Sequence, residues 1–152
     1  MSCPYFDPIA PQVPGSGPES AMLPLGDMWA GLCRAARDAP WQPDHATLQP
    51  YCNLGYARGA CAHFPDDDGP DAVRFTVYAD DGAVIRLYHV LERDHHPFAH
   101  GPLEYPLAAA PAADSLLARQ AHAYVQSYLR RKQSTLGVEC GYGIPGPSPA
   151  SE

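Results

Sequence analysis

The stretch 73–92, VRFTVYADDGAVIRLYHVLE, decides the fold of this chain. Val73, Phe75 and Val77 alternate with more polar neighbours, and a two-residue period of this kind is typical of a strand with one buried face. The acidic Asp-Asp-Gly run that follows has the composition of a hairpin turn. The pattern then resumes, so a second strand is predicted over about residues 83–92, antiparallel to the first.

The residues after this hairpin predict one more strand and a helix. A shorter third strand is expected over residues 103–107, after a histidine-rich loop, and it completes a three-stranded antiparallel meander. Asp114 is predicted to cap a final helix that runs to about Lys132. The apolar stripe expected to cover one sheet face consists of Leu117, Ala121, Tyr124, Val125 and Tyr128.

The N-terminal part predicts an extended arm and two short helices. Residues 4–24 contain six prolines, and this composition favours an extended, polyproline-like segment. The first helix is expected to begin after Asp27 and to run through about residue 37. The second is expected over residues 48–58, with Thr47 as its N-cap and Pro50 in its first turn.

The resulting element order predicts the α+β class, with the arm and two short helices around a metal site and the meander covered by the C-terminal helix. The length of 152 residues suits one domain. We therefore predict a single domain over residues 1–140, with the metal-site region at about 3–65 and the sheet and helix core at about 70–133. Residues 141–152 are rich in glycine and proline and predict an irregular tail.

Four of the five cysteines, Cys3, Cys33, Cys52 and Cys61, lie in the first 61 residues. The N-terminus reads MSCPYF, without the basic and apolar stretches of a secretory leader, so we expect a cytoplasmic protein. Cytosolic thiols stay reduced, and clustered cysteines there are more often metal ligands or catalysts than disulfide partners. The pattern predicts a thiolate-bound metal centre.

The wide spacing of these cysteines favours an iron–sulfur cluster over zinc. Structural zinc usually takes its ligands in close pairs, because a tight knuckle fits one small ion. A [4Fe-4S] cube offers a separate iron to each of four thiolates, so its ligands can come from well-separated segments. We predict one [4Fe-4S] cluster bound by Cys3, Cys33, Cys52 and Cys61, with zinc as the alternative cofactor and unliganded, buried thiols as the plain structural reading.

Two other residues are alternatives for one of the four ligands. Cys140 could replace Cys3, since a terminal thiol is easily lost through disorder. His63 lies two residues after Cys61, and imidazole takes the place of a cysteine in some iron–sulfur and many zinc sites. Aromatic residues near the cysteines could form the apolar shell that limits solvent access to the cluster: Tyr5, Phe6, Trp29, Tyr51, Tyr56 and Phe64.

A cluster whose four irons all have protein ligands leaves none open for substrate. This favours electron transfer, redox sensing or structural support over stand-alone catalysis, with a redox or other protein as partner. The net charge of −7 makes nucleic acid and anionic membranes improbable partners. No apolar run is long enough to cross a bilayer.

Two other functions stay open from the sequence. One is a zinc-stabilised protein-interaction module. The other is a metal-dependent hydrolase that uses the histidine-rich loop at residues 95–100, where His95, His96 and His100 are candidate ligands. Pro97 and Gly101 exclude a helix there, so these histidines would have to converge from a loop.

Overall fold

The computed structural model describes residues 1–12, 23–36, 38–108 and 114–139, with side chains up to residue 135. Within these ranges the fold is mixed α+β, with a two-stranded and a three-stranded antiparallel sheet and two helical segments. In chain order the elements are β1 Phe6–Pro11, β2 Trp29–Cys33, α1 His45–Thr47 with its π-helical continuation Leu48–Asn53, β3 Ala72–Asp80, β4 Val84–Arg93, β5 His96–Pro106 and α2 Leu116–Glu139.

The predicted meander is present, with strand order β3-β4-β5. Asp81 closes the first hairpin, because its carboxylate accepts from the backbone N–H groups of Ala83 and Val84. The third strand is longer than the predicted 103–107. It begins at His96, so the histidine-rich segment is a strand and not a loop. Prolines suggested a loop there, but β5 is an edge strand, and an edge strand accepts proline where its N–H would face outward.

The helix predicted after Asp27 is wrong, because Trp29–Cys33 forms strand β2, paired antiparallel with β1. The carboxylate of Asp27 instead pairs with Arg130 on α2. The apolar spacing suggested a helix, but the pairing with β1 is a long-range contact that the local pattern does not contain. β1 also replaces part of the predicted arm, and arm residues 13–22 lie outside the described ranges.

The second helix begins and ends earlier than predicted. Asp44, not Thr47, is its N-cap, and the Asp44 carboxylate accepts from the Thr47 N–H at 2.9 Å. The helical segment ends at Asn53 instead of residue 58, and Gly55 follows with a φ of 69°. Pro50 lies inside the π-helical part, where its missing N–H interrupts the regular α-helical ladder.

The C-terminal helix α2 lies where the sequence predicted a helix, with different ends. Its first turn is capped by Ser115, whose hydroxyl accepts from the Ala118 N–H at 3.1 Å, and not by Asp114. Its backbone continues to Glu139, past the predicted end at Lys132. Tyr124 packs on the sheet residue Phe75 with ring centroids 5.7 Å apart.

One cluster of buried side chains joins the N-terminal segment, the meander and α2. Its members include Cys3 and Phe6 from the N-terminus, Ile85 from β4 and Val125 from α2. The cysteine-bearing half therefore packs on the sheet and helix core. In the described residues, no helix is long and apolar enough to cross a membrane.

Candidate functional site

One pocket is lined by all four of the predicted ligand residues, Cys3, Cys33, Cys52 and Cys61. They come from four separate segments: the N-terminal turn, the end of β2, the π-helical stretch and the turn after it. All four are free thiols, Cys3 and Cys52 buried and Cys33 and Cys61 partly buried. Apolar side chains make up most of the remaining wall, among them Tyr5, Ala35, Trp41, Tyr51, Ala57 and Phe64.

Backbone pairing fixes the N-terminus beside the pocket. Ser2 exchanges two hydrogen bonds of 2.8 Å with Val73 on β3, which adds the first residues of the chain to the sheet. The Cys3 N–H donates to the Cys52 carbonyl at 2.9 Å, so two of the four cysteines are joined through their backbones. The Phe6 N–H donates back to the Cys3 carbonyl at 3.1 Å, which closes a turn with Pro4 at its second position.

Gln120 secures the same turn from the opposite side. Its side chain is 1% exposed, and Nε2 donates to the carbonyl oxygens of Cys3 at 2.8 Å and Phe6 at 2.6 Å. A buried amide bonded in this way replaces water at carbonyls that would otherwise be unsatisfied. Helix α2 thus holds a candidate ligand that lies 117 residues away in the sequence.

Cys33 and Cys52 are positioned by neighbouring backbone and amide contacts. Cys33 forms a β-bridge with Trp41, with backbone hydrogen bonds of 2.7 and 3.1 Å. Next to Cys52, the buried Asn53 side chain accepts from the Trp29 N–H at 2.9 Å and donates to the Trp29 carbonyl at 3.1 Å. This amide links the helical segment to β2, the strand that ends at Cys33.

Cys61 lies in a turn that Arg58 braces. The Cys61 N–H donates to the Ala57 carbonyl at 2.8 Å, and the Phe64 N–H donates to the Cys61 carbonyl at 3.0 Å. The Arg58 guanidinium lies 4.8 Å from the centre of the Phe64 ring and pairs with the buried Asp71 carboxylate. It also donates to backbone carbonyl oxygens at Pro65, Asp67 and Gly69.

The pocket disfavours thiolate formation in the absence of a cation. Burial, together with the neighbouring thiols Cys33 and Cys61, raises the pKa of Cys3 to about 12. Burial and the other three thiols also raise the pKa of Cys52. Thiolates are the metal-binding form, and a bound cation stabilises them, so metal binding here would release protons.

The pocket is narrow, with a volume of about 10 Å³ open to a molecule the size of water. In the described part of the chain, no group of three or more His, Cys, Asp or Glu side chains is arranged to hold a metal ion, and this includes the four cysteines. The donor set and the apolar walls suit a thiolate cluster. Binding one requires the side chains to rotate or the walls to move apart.

Two residues near the pocket bear on the alternative ligand sets. His63 lines the pocket and stacks on Trp41, with ring centroids 3.9 Å apart and an angle of 20° between the rings. Its imidazole therefore shares the pocket with the four thiols. Cys140 lies outside the described residues.

Half of the predicted aromatic shell lies elsewhere. Tyr5, Tyr51 and Phe64 line the pocket. Phe6 and Trp29 are buried in the general core, and the Tyr56 ring stacks on His95 with centroids 4.4 Å apart. An aromatic wall residue that the sequence did not indicate is Trp41, which reaches the pocket through its bridge to Cys33.

The histidines of residues 95–100 have separate partners. His95 is in a two-residue turn and stacks on Tyr56. His96 Nδ1 is 2.6 Å from the Asp94 carbonyl oxygen, and His100 Nδ1 is 2.5 Å from the Tyr88 hydroxyl oxygen. Hydrolysis at these histidines stays an untested prediction.

Gln120, Asn53 and Arg58 are site residues that sequence reasoning missed. All three hold the cysteine-bearing segments through contacts across the chain. For Gln120 the sequence contained one signal. It is a polar residue at a position facing the core, directly before Ala121 of the predicted apolar stripe of α2. The Asn53 and Arg58 contacts left no such periodic signal.

Comparison with known proteins gives no match to any family model, curated protein sequence or solved structure.

Proposed function

We propose that this chain binds one [4Fe-4S] cluster through Cys3, Cys33, Cys52 and Cys61. The observation that carries the proposal is the common pocket, which takes one cysteine from each of four segments. Cysteines buried only for packing have no reason to line one common pocket, whereas these four do so from separate segments of the chain. A cubane accepts four ligands of such separate origin, one at each iron.

Electron transfer is the role that the surroundings favour. Cys33 and Cys61 are only partly buried, and the exposed His63 and partly buried Trp41 stack at the same pocket. A cluster there would lie close to the surface and within reach of a protein redox partner. The apolar walls would limit solvent access and so influence its potential. Redox sensing and structural support use the same site, and all three roles suit a cytosolic protein.

The test is a series of single cysteine-to-alanine variants purified without oxygen. Cys3→Ala, Cys33→Ala, Cys52→Ala and Cys61→Ala should each lose most of the visible absorption that bleaches on reduction, whereas Cys140→Ala should keep it. Loss in Cys140→Ala with retention in Cys3→Ala would replace Cys3 in the ligand set. Full retention in all five variants would overturn the proposal.

Zinc is the second candidate, and His63 is the observation that favours it. Mixed cysteine and histidine sets are common at zinc, and His63 lines the same pocket as Cys61. In that case the purified protein is colourless and contains one equivalent of zinc, and the chain acts as a zinc-stabilised interaction module. His63→Ala would then lower zinc content, while it would leave an all-cysteine cluster in place.

A further inference from the structure

A second cavity shares part of its wall with the cysteine pocket. It is a cleft of about 420 Å³ lined by Tyr5 and Ala35, which also line the cysteine pocket, and by other side chains that include Arg34, Asp67, Leu91 and Leu117. This volume lies in the range of about 300–1,000 Å³ typical of small-molecule sites. The cleft combines a small number of polar groups with an apolar surface, which is the composition such sites have.

A guanidinium is fixed at one part of this cleft. Arg34 is held through Nε and Nη2 by the carboxylate of Asp7, both at 2.9 Å. Asp7 is 4% exposed in its side chain and also binds Arg119 at 2.8 Å. Arg34 keeps 37% of its side chain exposed. The Asp7 carboxylate therefore fixes the position of the Arg34 guanidinium, while the exposed part of the Arg34 side chain stays accessible to an anion.

A carboxylate is fixed at another part of the cleft. The Tyr5 hydroxyl lies 2.9 Å from each carboxylate oxygen of Asp67, and the Gly69 N–H donates to the same carboxylate at 2.9 Å. Both contacts lower the pKa of Asp67, the hydrogen bond from the Gly69 N–H more than the one from the Tyr5 hydroxyl. Asp67 is therefore ionised at neutral pH. Asp67 also pairs with Arg58, with Nη2 and Oδ1 3.8 Å apart, but its side chain is 49% exposed and can accept from a second cationic donor.

The remaining lining is mostly apolar. Pro4, Pro70, Leu91, Leu116 and Leu117 face the cleft. Apolar area of this kind stabilises a bound hydrocarbon group in proportion to the surface removed from water.

We propose that this cleft binds a small zwitterionic organic molecule, with an anionic group at Arg34, a cationic nitrogen at Asp67 and an apolar body against Leu91 and Leu117. The inference goes beyond the proposed cluster and does not require it, because the cleft uses none of the cysteine side chains. A ligand here would contact Tyr5 and Ala35, which also line the cysteine pocket.

The test compares three probes by NMR titration of the full chain: 4-(aminomethyl)benzoate, benzoate and benzylamine. The zwitterion should perturb the amide signals of Tyr5, Leu91 and Leu117 in a saturable way and bind about fivefold more tightly than either parent, as expected for one added ion pair that is partly exposed. No saturable perturbation by the zwitterion, or perturbations centred on another surface, would overturn the proposal.

Substitutions test which residue binds each of the two charged groups of the zwitterion. Arg34→Gln should reduce the affinity for the zwitterion to about that for benzylamine, and Asp67→Asn to about that for benzoate. The matched controls Arg86→Gln and Asp81→Asn remove an exposed ion pair at the first hairpin and should leave binding unchanged. Equal binding by the cleft variants and the controls would contradict the assignment. The probe comparison in the unmodified chain stands even if a variant fails to fold, and iron content is measured separately.

Discussion

Gln120 donates a 2.8 Å hydrogen bond to the backbone carbonyl of Cys3, so the C-terminal helix holds the N-terminal turn that bears the first cysteine. Both partners are buried, and Nε2 makes a second bond to the Phe6 carbonyl. The cysteine pocket therefore depends on the last helix of the fold as well as on the segment that contains its thiols.

Replacing Gln120 by leucine should destabilise the protein by about 2–3 kcal/mol, because it leaves the Cys3 and Phe6 carbonyls buried without this donor. Urea unfolding measures the change. Gln126→Leu, at an exposed position of the same helix, is the control and should change the stability by less than about 0.5 kcal/mol. Equal effects of the two substitutions would show that the contact with the Cys3 turn contributes nothing.

Arg58→Met should destabilise the chain by about 3–5 kcal/mol, since it removes the ion-pair partner of Asp71, whose side chain is 6% exposed. It also removes the donors that hold the backbone around Pro65, Asp67 and Gly69. Hydrogen exchange should accelerate at residues 59–64, around Cys61. Arg86→Met is the control, because Arg86 pairs with exposed acids and such pairs contribute about 0–1 kcal/mol. Unchanged exchange around Cys61 would contradict the bracing role of Arg58.

Two glycines with positive φ give a matched pair of alanine substitutions. A Cβ at Gly55 would collide with the Met1 carbonyl oxygen, whereas a Cβ at Gly59 would meet nothing within 4 Å. The left-handed backbone costs each alanine about 1–2 kcal/mol. Gly55→Ala should therefore be more destabilising than Gly59→Ala by about 1–3 kcal/mol, the cost of displacing packed groups. Thermal or urea unfolding measures the loss of stability in each variant. Equal losses in the two variants would mean that the N-terminus does not pack against Gly55.

The stability of the metal-free protein should fall as the pH rises above 9. The Cys3 thiol ionises near 9.0 in an unfolded chain, whereas burial and the neighbouring thiols raise its folded-state pKa to about 12. The folded state thus holds more protons in this window, and its stability, fully present below pH 9, decreases by up to about 1.4 kcal/mol per pH unit for each such thiol.

The pH effect is measured by urea unfolding between pH 8 and about 10. The tyrosines with raised pKa values ionise near 10.0 in an unfolded chain, so they add to the slope at the upper end of this range, to a similar extent in the native protein and in a Cys3 variant. Cys3→Ser, which has no titrating group at this position, should show a smaller slope. Identical slopes in the two proteins would mean that Cys3 is not buried as described.

The alternating and helical periods in the sequence were enough to predict the meander and the C-terminal helix. They could not reveal β1 and β2, because each strand is stabilised by the other and neither carries a long local pattern. The proline-rich composition of Phe6–Pro11 indicated extended backbone but not its pairing. Helix caps were misplaced by one to three residues, since Asp44 and Ser115 compete with nearby residues of equal capping ability.

The four cysteines were singled out from their number, context and spacing alone. What the sequence could not supply is the set of side chains that positions them, since Gln120 acts from a distant helix and Arg58 through backbone carbonyls. Contacts of this kind leave no periodic trace, and they are visible only once the chain is folded.

The most direct test of the proposed [4Fe-4S] cluster is iron and acid-labile sulfide analysis of protein purified without oxygen. The proposed cluster predicts about four irons and four sulfides per chain, bound by the four thiols of the pocket. Folded protein that contains neither iron nor sulfide under these conditions would contradict it.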